Sequence, residues 1–492
     1  HEVAQFSDPE TEIETTGGSL RIEGSLTDSI SLTSTTGYID HQYGPQIYGF
    51  SGIVSNGLLT PSMEMQFGTI GRPDAPRVQT SESFSQELIL TGTSDSLDWL
   101  VGFYYFQEDF DAAIPFEFVD TNVKALVGGS FTAGDPIVFP PGTLFFGNNQ
   151  SIFEKNSNVA GFVDVTWRLA EDWRLNVGGR YGGEEKKTTQ HLETILILPP
   201  NALLLPTGGS FTLPICPPGN KVDLKENKFS PKARLEWDPV DDHLTYLQYQ
   251  EGVKSGQVNL SLCNDVVEPE EIAAYEFGYK AQFGSGRGTF NAAAFFYDYE
   301  QYQSLEFTVD GTSAYLTNVP KAEILGAEVE LAYTVSESLA FDFAFTWLDS
   351  EVTQGSVETG TDTANLAAGV QNLEGNPLPS TPEFTFQAGL EHYAAFGEAS
   401  LTTRLEYAYF DEHSFRLFGV RKVHPEDGQK SYGLLNLYAT LSFADDRYQV
   451  RGYLRNLTDE DYKYWSLYSL STGFSGSAAP PLTWGLDLVA NF

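Results

Sequence analysis

Apolar and polar residues alternate with period two along almost the whole chain. In the C-terminal stretch PLTWGLDLVANF, the residues Leu482, Trp484, Leu486, Leu488, Ala490 and Phe492 fall on one face, and Thr483, Gly485, Asp487, Val489 and Asn491 on the other. The same dyad sets Leu339, Phe341, Phe343, Phe345 and Trp347 against Ala340, Asp342, Ala344 and Thr346. It sets Trp173, Leu175, Val177, Gly179 and Tyr181 against Arg174, Asn176, Gly178 and Arg180, and it recurs in Ala273 to Phe283 and Leu401 to Tyr409. Each run predicts a strand with one apolar face. The last of these faces runs to the end of the sequence, so something apolar must cover it.

The connections carry a second pattern. Short turns at 27 to 29 (TDS), 94 to 96 (SDS), 170 to 172 (AED), 239 to 242 (PVDD), 284 to 286 (GSG), 336 to 338 (SES), 396 to 398 (FGE) and 444 to 446 (ADD) alternate strictly with long segments. The long ones cover about 39 to 83, 109 to 156, 187 to 226, 253 to 272, 301 to 321, 352 to 382, 411 to 429 and 458 to 481. Short turns on one side and long loops on the other are how an outer-membrane barrel is built, whereas a soluble sandwich or propeller has no reason to sort its loops. The expected fold is therefore an all-β, transmembrane, antiparallel β-barrel of about seventeen strands, with long extracellular loops and short periplasmic turns. First and last strands both run from the long-loop side to the short-turn side. Bacterial single-chain barrels use even numbers, so residues 1–492 read as one N-terminally incomplete barrel domain. About five more strands would complete a barrel of about twenty-two.

Composition agrees and narrows the partners. Aromatic residues make up 14% of the chain, with 46 glycines and 25 prolines, as suits strands joined by many turns. The net charge of −39, from 28 basic and 67 acidic residues, excludes nucleic acid and argues against a patch for anionic lipid. No stretch of about 18 uncharged apolar residues is present, so no transmembrane helix is expected. HEVAQFSDPE has neither the basic start nor the apolar core of a signal peptide. Either the chain is a mature product or its true beginning lies upstream.

The segments YEFGYKAQF (275 to 283), NVPKAEILGAEVEL (318 to 331), GNPLPSTPEFTFQAGLEHY (375 to 393), YGLLNLYATLSF (432 to 443) and RNLTDEDY (455 to 462), with the terminal Phe492, resemble the C-terminal barrel of TonB-dependent outer-membrane receptors. SQELILTG (85 to 92), KFSPKARLEW (228 to 237) and GVKSGQVNL (252 to 260) agree, the last departing from the family's usual phenylalanine after the first glycine. The resemblance implies a 22-stranded barrel in the Gram-negative outer membrane, closed by an N-terminal plug that contacts the periplasmic energy-transducing complex. Nothing in this sequence resembles the plug. The resemblance also makes Phe492 a signal for the barrel-assembly machinery, turns the apolar face to lipid and turns the polar face to the lumen. Lumen or plug-facing positions are then Arg174, Arg180, Glu276, Lys280, Arg404, Glu406, Arg451 and Arg455. They are either a solvated wall that holds the plug or direct substrate contacts.

Cys216 and Cys263 lie in successive long segments on what would be the oxidising outer surface, and the two are expected to pair. TILILPPNALLLP (194 to 206) and IVFPPGTLFFG (137 to 147) are apolar, with prolines that argue against helix interiors and central strands. They meet either a hydrophobic ligand, a surface partner protein, or one another. Candidate substrate contacts at the mouth are Tyr43, Tyr48, Phe50, Phe145, Phe146, Trp465 and Tyr468, together with Arg416 and Arg421, which share a segment with His413 and His424. That cluster is either a site for an anion or solvated loop charge. No histidine pair has zinc spacing, and no nucleophile elbow, phosphate-binding loop or EF-hand spacing occurs, so neither a metal, a cofactor nor an enzyme is expected. The functional expectation is active uptake of a scarce nutrient, most often an iron–siderophore complex in the family, with cobalamin, carbohydrate or another chelate behind. The alternative is a plugless passive pore or a structural surface barrel.

Overall fold

The computed structural model describes residues 10–52, 63–67, 78–120, 144–198, 209–259, 262–307, 314–357, 371–417, 428–444, 446–469 and 473–491. Among these the regular elements are all β-strands. The main sheet has eighteen strands, and seventeen of them form a continuous antiparallel wall. Each stave pairs with the next one in sequence, from Glu10–Ser25 against Ile30–Gly52 to Tyr448–Arg455 against Thr483–Ala490. The eighteenth, Met63–Phe67, continues the stave Val78–Thr93 upwards, filling the space between the extensions of Ile30–Gly52 and Leu97–Asp120. Among the described residues neither outer edge of the wall, at Glu10–Ser25 or at Thr483–Ala490, has a further paired strand.

The short turns fall where the sequence puts them, but many residues expected in long loops are strand. Leu144–Ala170 is 27 residues long and Gly209–Trp237 is 29, whereas about 9 to 11 suffice to cross a bilayer. The excess continues beyond that length as paired ribbon. Tyr43, Tyr48 and Phe50 therefore belong to Ile30–Gly52, Phe145 and Phe146 to Leu144–Ala170, and residues 194–198 to Trp173–Leu198. Proline does not forbid this where the ladder does not use its missing N–H. Pro231 stands opposite Gly179, just past the point where pairing with His243–Lys254 stops, since those registered pairs run only from Lys232 to Trp237.

One face of the wall is apolar and open. Val177, Leu247 and Leu486 are about half or more exposed on it, and Leu488 is 77% exposed. Two aromatic rows bound this face. Beside the short turns, Trp173 stacks on Trp237 at 5.5 Å, Phe283 on Tyr333 at 5.6 Å and Phe443 on Tyr448 at 5.6 Å. Towards the long connections stand Tyr181, Phe229, the pair Tyr249–Tyr275 at 5.0 Å and the pair Phe386–Tyr409 at 5.4 Å. From Trp173 to Tyr181 a tilted strand rises about 20 Å, close to the apolar band of outer-membrane barrels with its flanking girdles. This is the face that the sequence pattern turns towards lipid.

Candidate functional site: the inner wall and its mouth

The opposite face is polar, and two of its charge clusters are paired internally. Arg174 donates to Glu236 at 2.8 Å and to Asp238 at 2.9 Å, while Arg234 shares Glu236 at 3.0 Å. The Arg234 guanidinium lies 4.1 Å over the Tyr246 ring, and the Tyr246 hydroxyl donates to Glu276 at 2.7 Å. Tyr246 occupies the space a Cβ would need at Gly278 on the next strand, so the glycine lets the ring lie flat along the wall. Gly389 does the same for a second cluster. Arg404 reaches across it to Asp342 at 2.7 Å and 3.1 Å and donates to Glu406 at 2.7 Å. At the turn below the first cluster, the Arg174 guanidinium holds the Asp238 carboxyl below its ordinary value against a weaker opposing effect of burial.

The other inner positions have softer surroundings. Arg180 donates to Asn158 at 3.4 Å and lies 5.4 Å from the Tyr104 ring centre. Lys280, opposite Asn291, lines a cavity of about 1010 Å³ at the short-turn rim together with Arg174, Asp238 and Asp242. Arg451 donates to Gln449 at 3.0 Å, and Arg455 lies 4.8 Å over Tyr453. All eight positions that the sequence assigns to the lumen thus share the face opposite the exposed apolar side chains.

At the long-connection end, two segments fold inward over this polar face. Lys186 and Glu226 bind the carbonyl and N–H of Gly256, each at 3.0 Å, and Ser255 donates to Glu184 at 2.5 Å. Asn259 clasps Leu316 through both backbone groups, at 2.8 Å and 2.6 Å. Gln303 binds the carbonyls of Ser255 and Glu268 at 2.9 Å and 3.0 Å. The Cys216–Cys263 disulfide, Cα to Cα 5.3 Å, ties this segment to Gly209–Trp237. Further round, Thr381 bonds Ser350 at 2.6 Å, and Asn376 donates to the carbonyl of Leu417 at 2.9 Å.

A small core closes beneath these ties, and sequence reading missed it. Gln301, at φ 54°, stands opposite Pro320, and the ladder between Gly288–Phe307 and Ala314–Ser336 skips that pair. The kink turns Tyr299 and Tyr302 onto Val319, Ala322, Val352, Leu373, Leu378 and Leu417. The readable signal was Pro320 within NVPKAEIL, which interrupts a dyad pattern that otherwise continues. Beside this core, Arg416 is 5% exposed and faces the fully buried Glu306 at 3.6 Å. This corrects both readings of Arg416: it is neither a free anion site nor solvated charge but a buried tie between segments. His413 packs edge-on against Phe415, while Arg421, His424 and Phe492 lie outside the described residues.

A second feature missed in the sequence is an aromatic ladder on the inner side of the mouth. Phe410 stacks on Tyr432 at 5.0 Å, Tyr432 on Tyr462 at 4.7 Å, and Tyr464 meets Tyr462 edge-on at 5.8 Å. Burial, reinforced by the hydrogen bond to Tyr464, pushes the Tyr462 phenol up to about 12. Trp465 and Tyr468 belong to the adjoining hairpin Lys463–Ser469 and Gly473–Ala478, with Trp465 exposed.

The family model described as TonB dependent receptor-like, beta-barrel, matches residues 3–457. The chain belongs to the TonB-dependent receptor family. The receptor is accordingly a Gram-negative outer-membrane protein, and its family is one of receptors and transporters rather than enzymes. No curated protein matches its sequence. Its fold is similar to that of the ferric yersiniabactin uptake receptor FyuA from Yersinia pestis, with a TM-score of 0.72 at 16% identity over 99% of this chain and 62% of that one. It is also similar to the siderophore receptor PiuA from Acinetobacter baumannii, with a TM-score of 0.67 at 16% identity over 99% and 66% of the two chains. The pyoverdine outer membrane receptor FpvA from Pseudomonas aeruginosa PAO1 aligns with a TM-score of 0.59 at 14% identity over 98% and 62%. The receptor chain therefore spans less than two thirds of the length of each of these three structures.

Proposed function

We propose that this chain is the wall and mouth of an energised uptake receptor that captures a scarce nutrient outside the cell and admits it past a plug moved by the TonB complex. An iron–siderophore complex is the substrate this reading favours, ahead of cobalamin, carbohydrate or another chelate. Family membership supports the uptake class, and the fold shared with the siderophore receptors FyuA, PiuA and FpvA supports the siderophore class. The observation that carries the reading is the contrast between the two polar surfaces. Inner-wall charges that neutralise one another, as Arg174 and Arg234 do with Glu236 and Asp238, present a plug with little to grip and let it shift without breaking strong ion pairs. The mouth instead offers pinned segments and flat aromatic faces.

In this reading Arg174, Arg180, Glu276, Lys280, Arg404, Glu406, Arg451 and Arg455 line the plug. Tyr432, Tyr462 and Tyr464 join Tyr43, Tyr48, Phe50, Phe145, Phe146, Arg421, Trp465 and Tyr468 as substrate contacts, and Arg416 is left out because it is buried. About five strands and a plug outside residues 1–492 complete the barrel. That neither Glu10–Ser25 nor Thr483–Ala490 has a further partner strand among the described residues supports this, since exposed backbone N–H and C=O groups in hydrocarbon carry a penalty of several kcal/mol each.

The test is a titration of the purified full-length receptor with a panel of ferric siderophores, cobalamin and oligosaccharides. Saturable binding of a ferric siderophore, weakened at least tenfold by Tyr432→Ala with Tyr462→Ala, is the expected result. A steady ion conductance in planar bilayers with no binding across the panel would support a passive pore instead.

A further inference from the structure

The wall parts at one seam, and charged side chains close the gap. Ladder pairing between Gly209–Trp237 and His243–Lys254 runs only from Lys232–Gln250 to Trp237–Thr245. Beyond it, above the aromatic row at Phe229 and Tyr249, the chain turns inward, and Ser255 and Gly256 cross the polar face as a strap that reaches Trp173–Leu198. Two carboxylates receive the strap. Glu184 accepts from the Ser255 hydroxyl at 2.5 Å, and Glu226 accepts from the Gly256 N–H at 3.0 Å. The fit is close, because a Cβ on Gly256 would come within 2.5 Å of the Glu226 carboxylate and 2.6 Å of the Val267 carbonyl. Register sets Glu184 directly opposite Glu226, where like charges repel. The cations nearby are committed elsewhere or to one member of the pair. Lys186 lies 3.2 Å from Glu184 and donates to the Gly256 carbonyl at 3.0 Å. Lys228 is paired with Glu271, and the Arg180 guanidinium turns to Asn158 and the Tyr104 ring. Of the remaining charged groups on the packed elements, Glu154 accepts from Thr188 at 2.9 Å, and Glu270 accepts the Gln303 N–H at 2.7 Å and stands opposite Lys254. Glu268 adds a further negative charge near Glu226. Burial pushes the Glu226 carboxyl above its ordinary value and the Glu184 charge adds to the push, against the Gly256 N–H and Lys186.

We propose that Glu184 and Glu226 form a proton-sharing pair that fastens the strap at Ser255 and Gly256 more firmly as pH falls. With both carboxylates charged, the strap is held against their repulsion. When Glu226 takes up one proton from water, its O–H donates to the Glu184 carboxylate while its other oxygen keeps the Gly256 N–H, and the repulsion is gone. Water reaches the pair through a cavity of about 70 Å³ lined by Arg180, Glu184, Glu226, Lys228, Val253 and Ser255. A carboxyl group that is easier to protonate in the fastened state than in the released one adds to fastening as pH falls through its raised value, and the gain is lost above that value. The strap covers the seam where the ladder stops, so its hold sets how tightly this side of the mouth is shut.

Hydrogen exchange at residues 254 to 258 of the full-length receptor reads the strap, in a parent carrying Cys216→Ser and Cys263→Ser so that the disulfide does not hold it. After correction for intrinsic exchange, protection should be roughly tenfold higher at about pH 5 than at about pH 8, the factor that one pKa unit supplies. Residues 384 to 390, on a distant part of the wall, should show no such change. E226Q keeps the acceptor for Gly256 and can donate to Glu184, so it should hold the strap at about pH 8 as firmly as the parent does at about pH 5. E226Q and E184Q should each lose the pH dependence. Equal protection of the parent at the two pH values, or weaker protection in acid, would overturn the proposal. So would an E226Q strap looser than the parent's at about pH 8, or a pH dependence that survives in both variants. The readout is independent of any nutrient, so failure here leaves the uptake reading standing.

Discussion

Phe345 and Thr346 are neighbours on one stave at nearly the same depth, and they point to opposite sides of the wall. Phe345 stands opposite Val329 and Phe386, with its ring 6.3 Å from that of Phe384 on the lipid side. Thr346 stands opposite Glu328 and Thr385 on the polar side. Phe345 is about 10 Å above Phe341 in the lower aromatic region, near the middle of the band. Phe345→Arg should therefore lower stability by about 2–4 kcal/mol for a cation in hydrocarbon, with about 1 kcal/mol more from the lost ring contact. Thr346→Arg should fall within about 0.5 kcal/mol of wild type, with Glu328 available as a counter-charge. Reversible denaturant unfolding of the full-length receptor from lipid vesicles, followed by tryptophan fluorescence, measures both. A difference under about 1 kcal/mol, or the reverse order, would refute the assignment of faces.

Four further outcomes follow from particular contacts. Asp238 is held below its ordinary value by Arg174, so its contribution to stability is present above the unfolded carboxyl value and is lost as pH falls through the lowered one. Arg174→Gln should therefore melt earlier than wild type at neutral pH, with the gap closing in a thermal scan as pH falls through the lowered Asp238 value. Non-reducing peptide mapping of freshly isolated outer membranes should recover Cys216 linked to Cys263, and the double serine variant should assemble normally yet be cut faster by protease between residues 254 and 270. Gly389→Val should push Arg404 off Asp342 and lower stability by about 1–3 kcal/mol, while Gly452→Val, whose new Cβ has room, should not. Deleting Phe492 should reduce the heat-modifiable, assembled fraction on gels; unchanged assembly would remove its role as a signal.

Strand identity, face and turn position were legible because period two is a strong signal wherever one face meets lipid and the other meets water. Trp173 to Tyr181 and Leu482 to Phe492 show this without ambiguity. The signal fades above the membrane, where both faces of a ribbon are wet, so Tyr48 and Phe146 were read as loop although they are paired strand. Side-chain partners across strands depend on register, which no local pattern supplies. The alternation puts Arg404 on the polar face, but its reach over Gly389 to Asp342 was not foreseeable. The burial of Arg416 was missed for a related reason: Glu306, its partner, lies more than a hundred residues earlier in the chain.

Energised uptake is tested most directly in cells. Cells that carry this receptor as their sole route for a ferric siderophore bound by the purified protein are given that complex labelled with radioactive iron. The account predicts accumulation against a gradient, which stops when the inner-membrane proton gradient is collapsed while surface binding persists. Entry that continues after the gradient is collapsed, at a rate proportional to the outside concentration, would contradict it.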